Sequence, residues 1–317
     1  MKQYLTLTFL ATLFAACTNE ISAPEVDQLS GKPIQIKTNI AKLIESRVEG
    51  NDNAENLDKF SLFIDGGENG TNYYAMMVLE ESNWISYDPS SRFETSYTPL
   101  SMTWVNSNPV KVTAYSGEIF NYMSTESIFS SVLEYQSTTE NFKKSDQLYM
   151  HLKEITPDEN GNITINFKHR FAKVSVLINT NSSEIENPIQ NLYINGTGTS
   201  REYFPKTNTW EDILEENIKD ITACFDSYEN GKAIYEAILL PQEIAAHQFK
   251  ITLKIADNKY TWNLQEPITF EEGKQYSFEL QMNKKEEDKK PKTISISSVN
   301  ISTWDQTTTT ITGSIVY

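Results

Sequence analysis

The sequence predicts an all-β protein made of β-sandwiches. Apolar residues recur at every second position in many short stretches, clusters of Gly, Pro, Asn and Asp separate those stretches, and only Glu211 to Lys219 spaces its apolar residues as a helix would. Alternation sends successive side chains to opposite faces of a strand, which suits a sheet with one face buried. Short strands with turn residues between them stack as sandwiches. At 317 residues the chain exceeds the usual single-domain size of roughly 100–150, so two domains in tandem are expected.

Ahead of the strands, Lys2 is followed by an apolar run broken by Thr6, Thr8 and Thr12 and ending in small residues, the form of a secretory signal peptide. The run falls short of the roughly 20 residues that span a bilayer as a helix. Leu13-Phe14-Ala15-Ala16-Cys17 resembles the lipobox of bacterial lipoproteins, which implies cleavage before Cys17 and acylation of it. One acyl chain binds a membrane marginally and two hold stably. Residues 1–16 are therefore read as signal peptide and 17–30, polar and acidic with Pro24, as a lipidated flexible leash. The second cysteine, Cys224, then has no disulfide partner and is expected to be a buried structural thiol.

The strands follow in order. Ile34, Ile36, Thr38 and Ile40 share one face, and Gln35, Lys37 and Asn39 the other. Glu45 to Lys59 is polar and reads as a surface loop. Phe60 to Ile64 and Tyr73 to Leu79 are strands around the turn residues Asp65-Gly66-Gly67 and Gly70. Val110, Val112 and Ala114 alternate, and Ile119 to Phe142 reads as a long connection with room for a helical turn. Leu148, Met150 and Leu152 share a face, Ile163, Ile165 and Phe167 another, and the turn Thr156 to Asn162 joins them as a hairpin. His169 to Asn179 is expected to continue as one strand. The domains are drawn at 31–165 and 166–317.

In the second half, Leu192 to Asn195 leads to Gly196 and Gly198, and Tyr203-Phe204 and Thr209-Trp210 flank Pro205-Lys206-Thr207-Asn208 as a hairpin. Ala233 to Leu240 is a strand closed by Pro241. Phe249 to Ile255 turns at Asp257-Asn258 and returns through Tyr260, Trp262 and Leu264. Tyr276 to Met282, Thr293 to Trp304 and Thr309 to Tyr317 complete the set, with Ile311, Gly313, Ile315 and Tyr317 on one face of the last.

Composition narrows the function. Lys and Arg number 27 against 43 Asp and Glu, a net charge of −16 that disfavours nucleic acid as a partner. No phosphate-cradling Gly loop with Lys, nucleophile elbow or zinc-binding His-Glu pair occurs. His151, His169 and His247 lie far apart in sequence. The adjacent carboxylates Glu80-Glu81 and Glu271-Glu272 would point to opposite faces of a strand. No catalytic residue, cofactor or metal is expected.

Ser46-Arg47-Val48 ahead of Phe60-Ser61-Leu62-Phe63, Asp146-Gln147-Leu148, Phe167-Lys168-His169, Lys173-Val174-Ser175-Val176, Leu239-Leu240-Pro241-Gln242, Gly273-Lys274 with Tyr276, and Ile301 with Trp304 occur in an order that resembles the fimbrillins, type V pilins of Gram-negative anaerobes. That resemblance implies two transthyretin-like sandwiches and polymerisation by strand exchange. A protease would cut between Arg47 and Val48. The strand holding Ile34, Ile36 and Ile40 would leave, and a C-terminal strand from another fimbrial subunit, here the one holding Ile311, Ile315 and Tyr317, would take its place. It also implies an outer-membrane lipoprotein, surface-exposed and fimbrial after processing. A second reading is a glycan-binding surface lipoprotein of a polysaccharide-uptake system, with Trp84, Tyr87, Trp104 and Trp210 exposed for stacking on sugars.

Overall fold

The computed structural model describes residues 27–40, 57–81, 83–93, 96–116, 127–180, 186–284, 291–303 and 308–311. Cys17, Arg47, Val48, Ile315 and Tyr317 lie outside them. The strands of the first half are β1 (Gln35–Ile40), β2 (Lys59–Asp65), β3 (Asn72–Glu80), β4 (Asn83–Tyr87), β5 (Val110–Ser116), β6 (Ile128–Ser131), β7 (Leu148–Ile155) and β8 (Asn162–His169), with helix α1 (Thr139–Ser145) between β6 and β7. Next come β9 (Ala172–Asn179), β10 (Asn191–Gly198), β11 (Ser200–Phe204), β12 (Thr209–Trp210), β13 (Ile218–Thr222), β14 (Cys224–Glu229) and β15 (Lys232–Leu239). The last are β16 (Gln242–Ile244), β17 (Lys250–Ile255), β18 (Asn258–Asn263), β19 (Ile268–Phe270), β20 (Lys274–Lys284), β21 (Pro291–Thr303) and β22 (Thr308–Ile311).

Among the described residues, one sheet has the order β1-β8-β7-β5-β2-β3-β4. Alternation decides its buried face: Phe60, Leu62 and Ile64 of β2 join Ala75 and Met77 of β3, Val112 and Ala114 of β5, and Ile163, Ile165 and Phe167 of β8 in one core. The sheet wraps around that core until its outer strands meet, where Trp84 Nε1 on β4 donates to Thr38 Oγ1 on β1 at 3.2 Å.

A second core is sandwiched between the sheet β14-β15-β9-β20-β21-β22 and the sheet β13-β10-β17-β18. Val174, Val176 and Ile178 of β9 and Phe278 and Leu280 of β20 share it with Leu192 and Ile194 of β10 and Ile251 and Leu253 of β17. Each such side chain contributes about 1.5–3 kcal/mol by leaving water. Phe142 of α1 and Val132 also belong to this second core, although they precede β7 in sequence. Cys224 lies buried there as a free thiol, its pKa raised first by that burial.

The hairpins β11–β12 and β17–β18 form where the sequence places them, with Tyr203 opposite Trp210 and Ile251 opposite Trp262. Other elements depart from the sequence reading. Leu152 does not share the core face of Leu148 and Met150. The β5–β7 register shifts between Val112 and Ala114, leaving two β7 residues opposite Thr113, and Leu152 is half exposed. Glu211 to Lys219 is not a helix: a short 3-10 turn, Glu215–Asn217, leads into β13, because β10 offers an edge that pairs Thr197 with Lys219 and Gly198 with Ile218. His169 to Asn179 is not one strand. The chain leaves β8 at His169, passes Arg170 and Phe171, and enters a different sheet as β9. The connection Ile119 to Phe142 holds the start of α1, in keeping with the helical turn expected there, and also β6, which pairs with β11. The β7–β8 hairpin pairs only at its open end, Leu148 with His169 and Tyr149 with Lys168.

Candidate strand-exchange interface

β1 runs parallel to β8, with Ile36 opposite Ile163, Thr38 opposite Ile165 and Ile40 opposite Phe167. Just ahead of it the chain bonds a second segment: Ile34 N donates to Met102 O at 3.0 Å, Trp104 N to Lys32 O at 2.9 Å and Gly31 N to Trp104 O at 2.8 Å. Leu29 and Ile34 are buried in the first core and Ile36 packs on it, while Gln35, Lys37 and Asn39 face solvent. The alternation expected from sequence is thus present. β1 also stands at the end of its sheet, with β8 as its strand neighbour.

The start of β1 is fixed by a contact that needs glycine. Trp104 Nε1 donates to Gly161 O at 2.9 Å, and a Cβ on Gly161, whose φ is +81°, would lie 2.9 Å from that same nitrogen. Only glycine fits both the angle and the approach. If β1 left, the row Ile163, Ile165 and Phe167 and the unpaired edge of β8 would be open to another strand.

At the other end of the chain, β22 is also an edge strand. It runs antiparallel to β21, with Ser302 opposite Thr308 and Val299 opposite Ile311. The structure therefore sets Ile34, Ile36 and Ile40 and the donor candidate Ile311 at edges of two different sheets and does not bring them together. Several motif residues do meet: Asp146 Oδ2 lies 2.9 Å from His169 Nδ1, fully inside the protein, and Gln242 Oε1 accepts from Gly198 N at 2.7 Å.

The aromatic residues read as an exposed sugar platform are otherwise engaged. Trp104 is 1% exposed. Trp84 packs edge-on against Phe60 and donates to β1, and Tyr87 is half-buried with its hydroxyl on Glu80. Trp210 Nε1 donates to Glu272 Oε1 at 3.0 Å.

Trp210 belongs to a cluster that no sequence motif marks. Arg170, fully buried, donates from one terminal nitrogen to Gln147 Oε1 at 2.8 Å and Ser130 Oγ at 3.2 Å. Its guanidinium carbon lies 4.1 Å from the Tyr203 ring centre, 4.6 Å from that of Trp210 and 5.2 Å from that of Tyr115. Tyr149 completes the enclosure and donates its hydroxyl to Glu272 at 2.9 Å. Burial pulls the Arg170 pKa down and pushes the Tyr149 hydroxyl above its ordinary range and that of Tyr203 up to about 12. An arginine keeps its charge through such a shift. The cluster ties β7 of the first sheet to β11, β12 and the approach to β20.

Among the described residues the chain is a nearly all-β protein with two large apolar cores and with β1 and β22 as edge strands. The sequence profile of the fimbrillin-like proteins matches residues 46–304, and the chain belongs to that family. Membership places it among fimbrial subunits, structural proteins of the cell surface. Two crystal structures share the fold. A protein from Bacteroides ovatus ATCC 8483, provisionally described as a cell adhesion protein, is 14% identical, with 85% of this chain and 97% of that one covered at a TM-score of 0.56. A protein of the same description from Bacteroides uniformis ATCC 8492 is 14% identical, covering 78% of this chain and 91% of that one at 0.52. The tip fimbrial protein Mfa3 from Porphyromonas gingivalis, with C-terminal truncation, is 9% identical over 78% of this chain and 94% of that one at 0.46. No curated protein matches.

Proposed function

We propose that the chain is the exported precursor of a fimbrial subunit, tethered to the outer membrane through acylated Cys17 and assembled with other fimbrial subunits by strand exchange. On this reading the two cores mark tandem sandwich units, with β6 and α1 of the first half joined to the second. The observation that carries it is the placement of β1: an edge strand whose apolar face covers a core, followed in sequence by Arg47-Val48. Cleavage between those residues frees β1 to leave without breaking the rest of the fold.

The donor matches the strand it replaces. Ile34, Ile36, Thr38 and Ile40 occupy alternate positions, and Ile311, Gly313, Ile315 and Tyr317 offer the same period-two row. Donation by the last strand surrenders its pairing with β21. In exchange it fills an apolar groove and satisfies the backbone edge of β8.

An arginine-specific protease applied to the purified precursor should release a fragment ending at Arg47 and leave a chain starting at Val48. SDS-resistant oligomers should accompany it, and Arg47→Ala should suppress both. Cleavage elsewhere, with Arg47 intact in the oligomers, contradicts the proposal.

A further inference from the structure

β1 is held on its two sides by different means. β8 pairs with its backbone, residue by residue from Gln35 to Ile40, while β4 reaches it through the indole of Trp84, whose Nε1 donates to Thr38 Oγ1 at 3.2 Å. We propose that Trp84 determines which strand is accepted in place of β1 and in what register: the donor must set a hydroxyl where Thr38 stands. The inference rests on strand exchange at β8, the function proposed above.

A backbone edge alone cannot choose. Its N–H and C=O groups bond any extended chain, and a row of alternate apolar residues that slips by two positions still faces the core. A polar group at a fixed point in the groove breaks that equivalence. Trp84 is so fixed: its ring meets Phe60 edge-on at 4.7 Å, and Phe60 meets Phe167 of β8 in the same manner at 5.2 Å, both phenylalanines being fully buried. In β1 the row Ile34, Ile36, Thr38 and Ile40 carries its hydroxyl at the place this N–H meets. An isoleucine there would take the acceptor away from a half-buried donor, which is costly.

The last strand of this chain has a residue of the required kind. β22 runs Thr308–Ile311, and Thr309 precedes Ile311 in the alternate row that goes on through Gly313 and Ile315. With Thr309 in the place of Thr38, Ile311 takes that of Ile36 or Ile40, according to the direction of the strand. On the opposite face Asn166 Oδ1 accepts from Asn39 Nδ2 at 3.0 Å, and Thr308 and Thr310 bring a hydroxyl to that position in either direction. Neither Gly313 nor Ile315 has a side chain that offers the indole an acceptor.

Peptide exchange tests this. The full-length chain, with a protease site inserted after Arg47, is cut there, and a labelled peptide of residues 305–317 competes with the cut strand, followed by fluorescence anisotropy. Thr309→Val in the peptide, which trades the hydroxyl for a methyl of similar size, should weaken uptake about fivefold, the effect of one ordinary hydrogen bond. The same change should have no effect on uptake by a Trp84→Phe chain. A tryptophan that merely packs would not couple to the peptide's hydroxyl. Equal loss on both chains, no loss on either, or tighter uptake of an Ile315→Thr peptide than of the parent overturns the inference and leaves strand exchange standing. Failure to take up the parent peptide at all overturns both.

Discussion

Arg170 sits buried in the link between His169 at the end of β8 and Phe171 ahead of β9. Its charge is tolerated because aromatic faces surround it and Gln147 and Ser130 accept its protons. Truncation removes the cation and leaves those acceptors and Glu272 facing a void. Arg170→Ala is expected to cost about 3 kcal/mol in urea unfolding. Because it links elements of both cores, the variant should also replace one cooperative transition by two. The tyrosines predict behaviour in alkali. Burial holds Tyr203, Tyr235 and Tyr276 at about 12 against an ordinary 10.0, so the folded state keeps protons that the unfolded state releases. Their contribution to stability is whole below pH 10 and lost as pH rises from 10 toward 12. Urea midpoints across that window should fall, and the share of phenolate absorbance due to these buried tyrosines should appear with unfolding, after that of exposed ones such as Tyr135.

At the scale of elements, what was legible depended on whether an element's signal is local. The β11–β12 hairpin could be read because Pro205 to Asn208 carries its own turn chemistry, and β1 because its alternation is complete. Leu152 could not be read, since a bulge depends on the register of the partner strand and appears in neither strand alone. Nor could β13: Ile213, Leu214 and Ile218 are spaced for a helix, but Leu214 and Ile218 stay exposed while β10 captures the backbone. From sequence Trp104 reads as an exposed sugar-stacking aromatic, and its burial against Gly161 rests on a contact 57 positions away in sequence. That contact fixes the entry of β1. Gly161→Ala should lower stability by about 1–3 kcal/mol through both positive φ and the clash with Trp104. Hydrogen exchange should accelerate first in residues 31–40.

For the whole molecule, β1 alternates as the sequence predicts, β22 is an edge strand, and the two lie in separate sheets of one subunit. Lipid on Cys17 would hold a precursor of net charge −16 at the outer membrane, where like-charged copies repel until a specific strand pairing overcomes the repulsion. Cys17→Ser should therefore move the protein from the membrane fraction to the soluble one. The most direct test of strand exchange is the light-scattering mass of the soluble chain before and after cleavage at Arg47, compared with a chain lacking residues 308–317. The account predicts a monomer before cleavage, oligomers after it, and a monomer throughout when the last strand is missing. A cleaved full-length chain that stays monomeric, or oligomers that form equally well without residues 308–317, would contradict it.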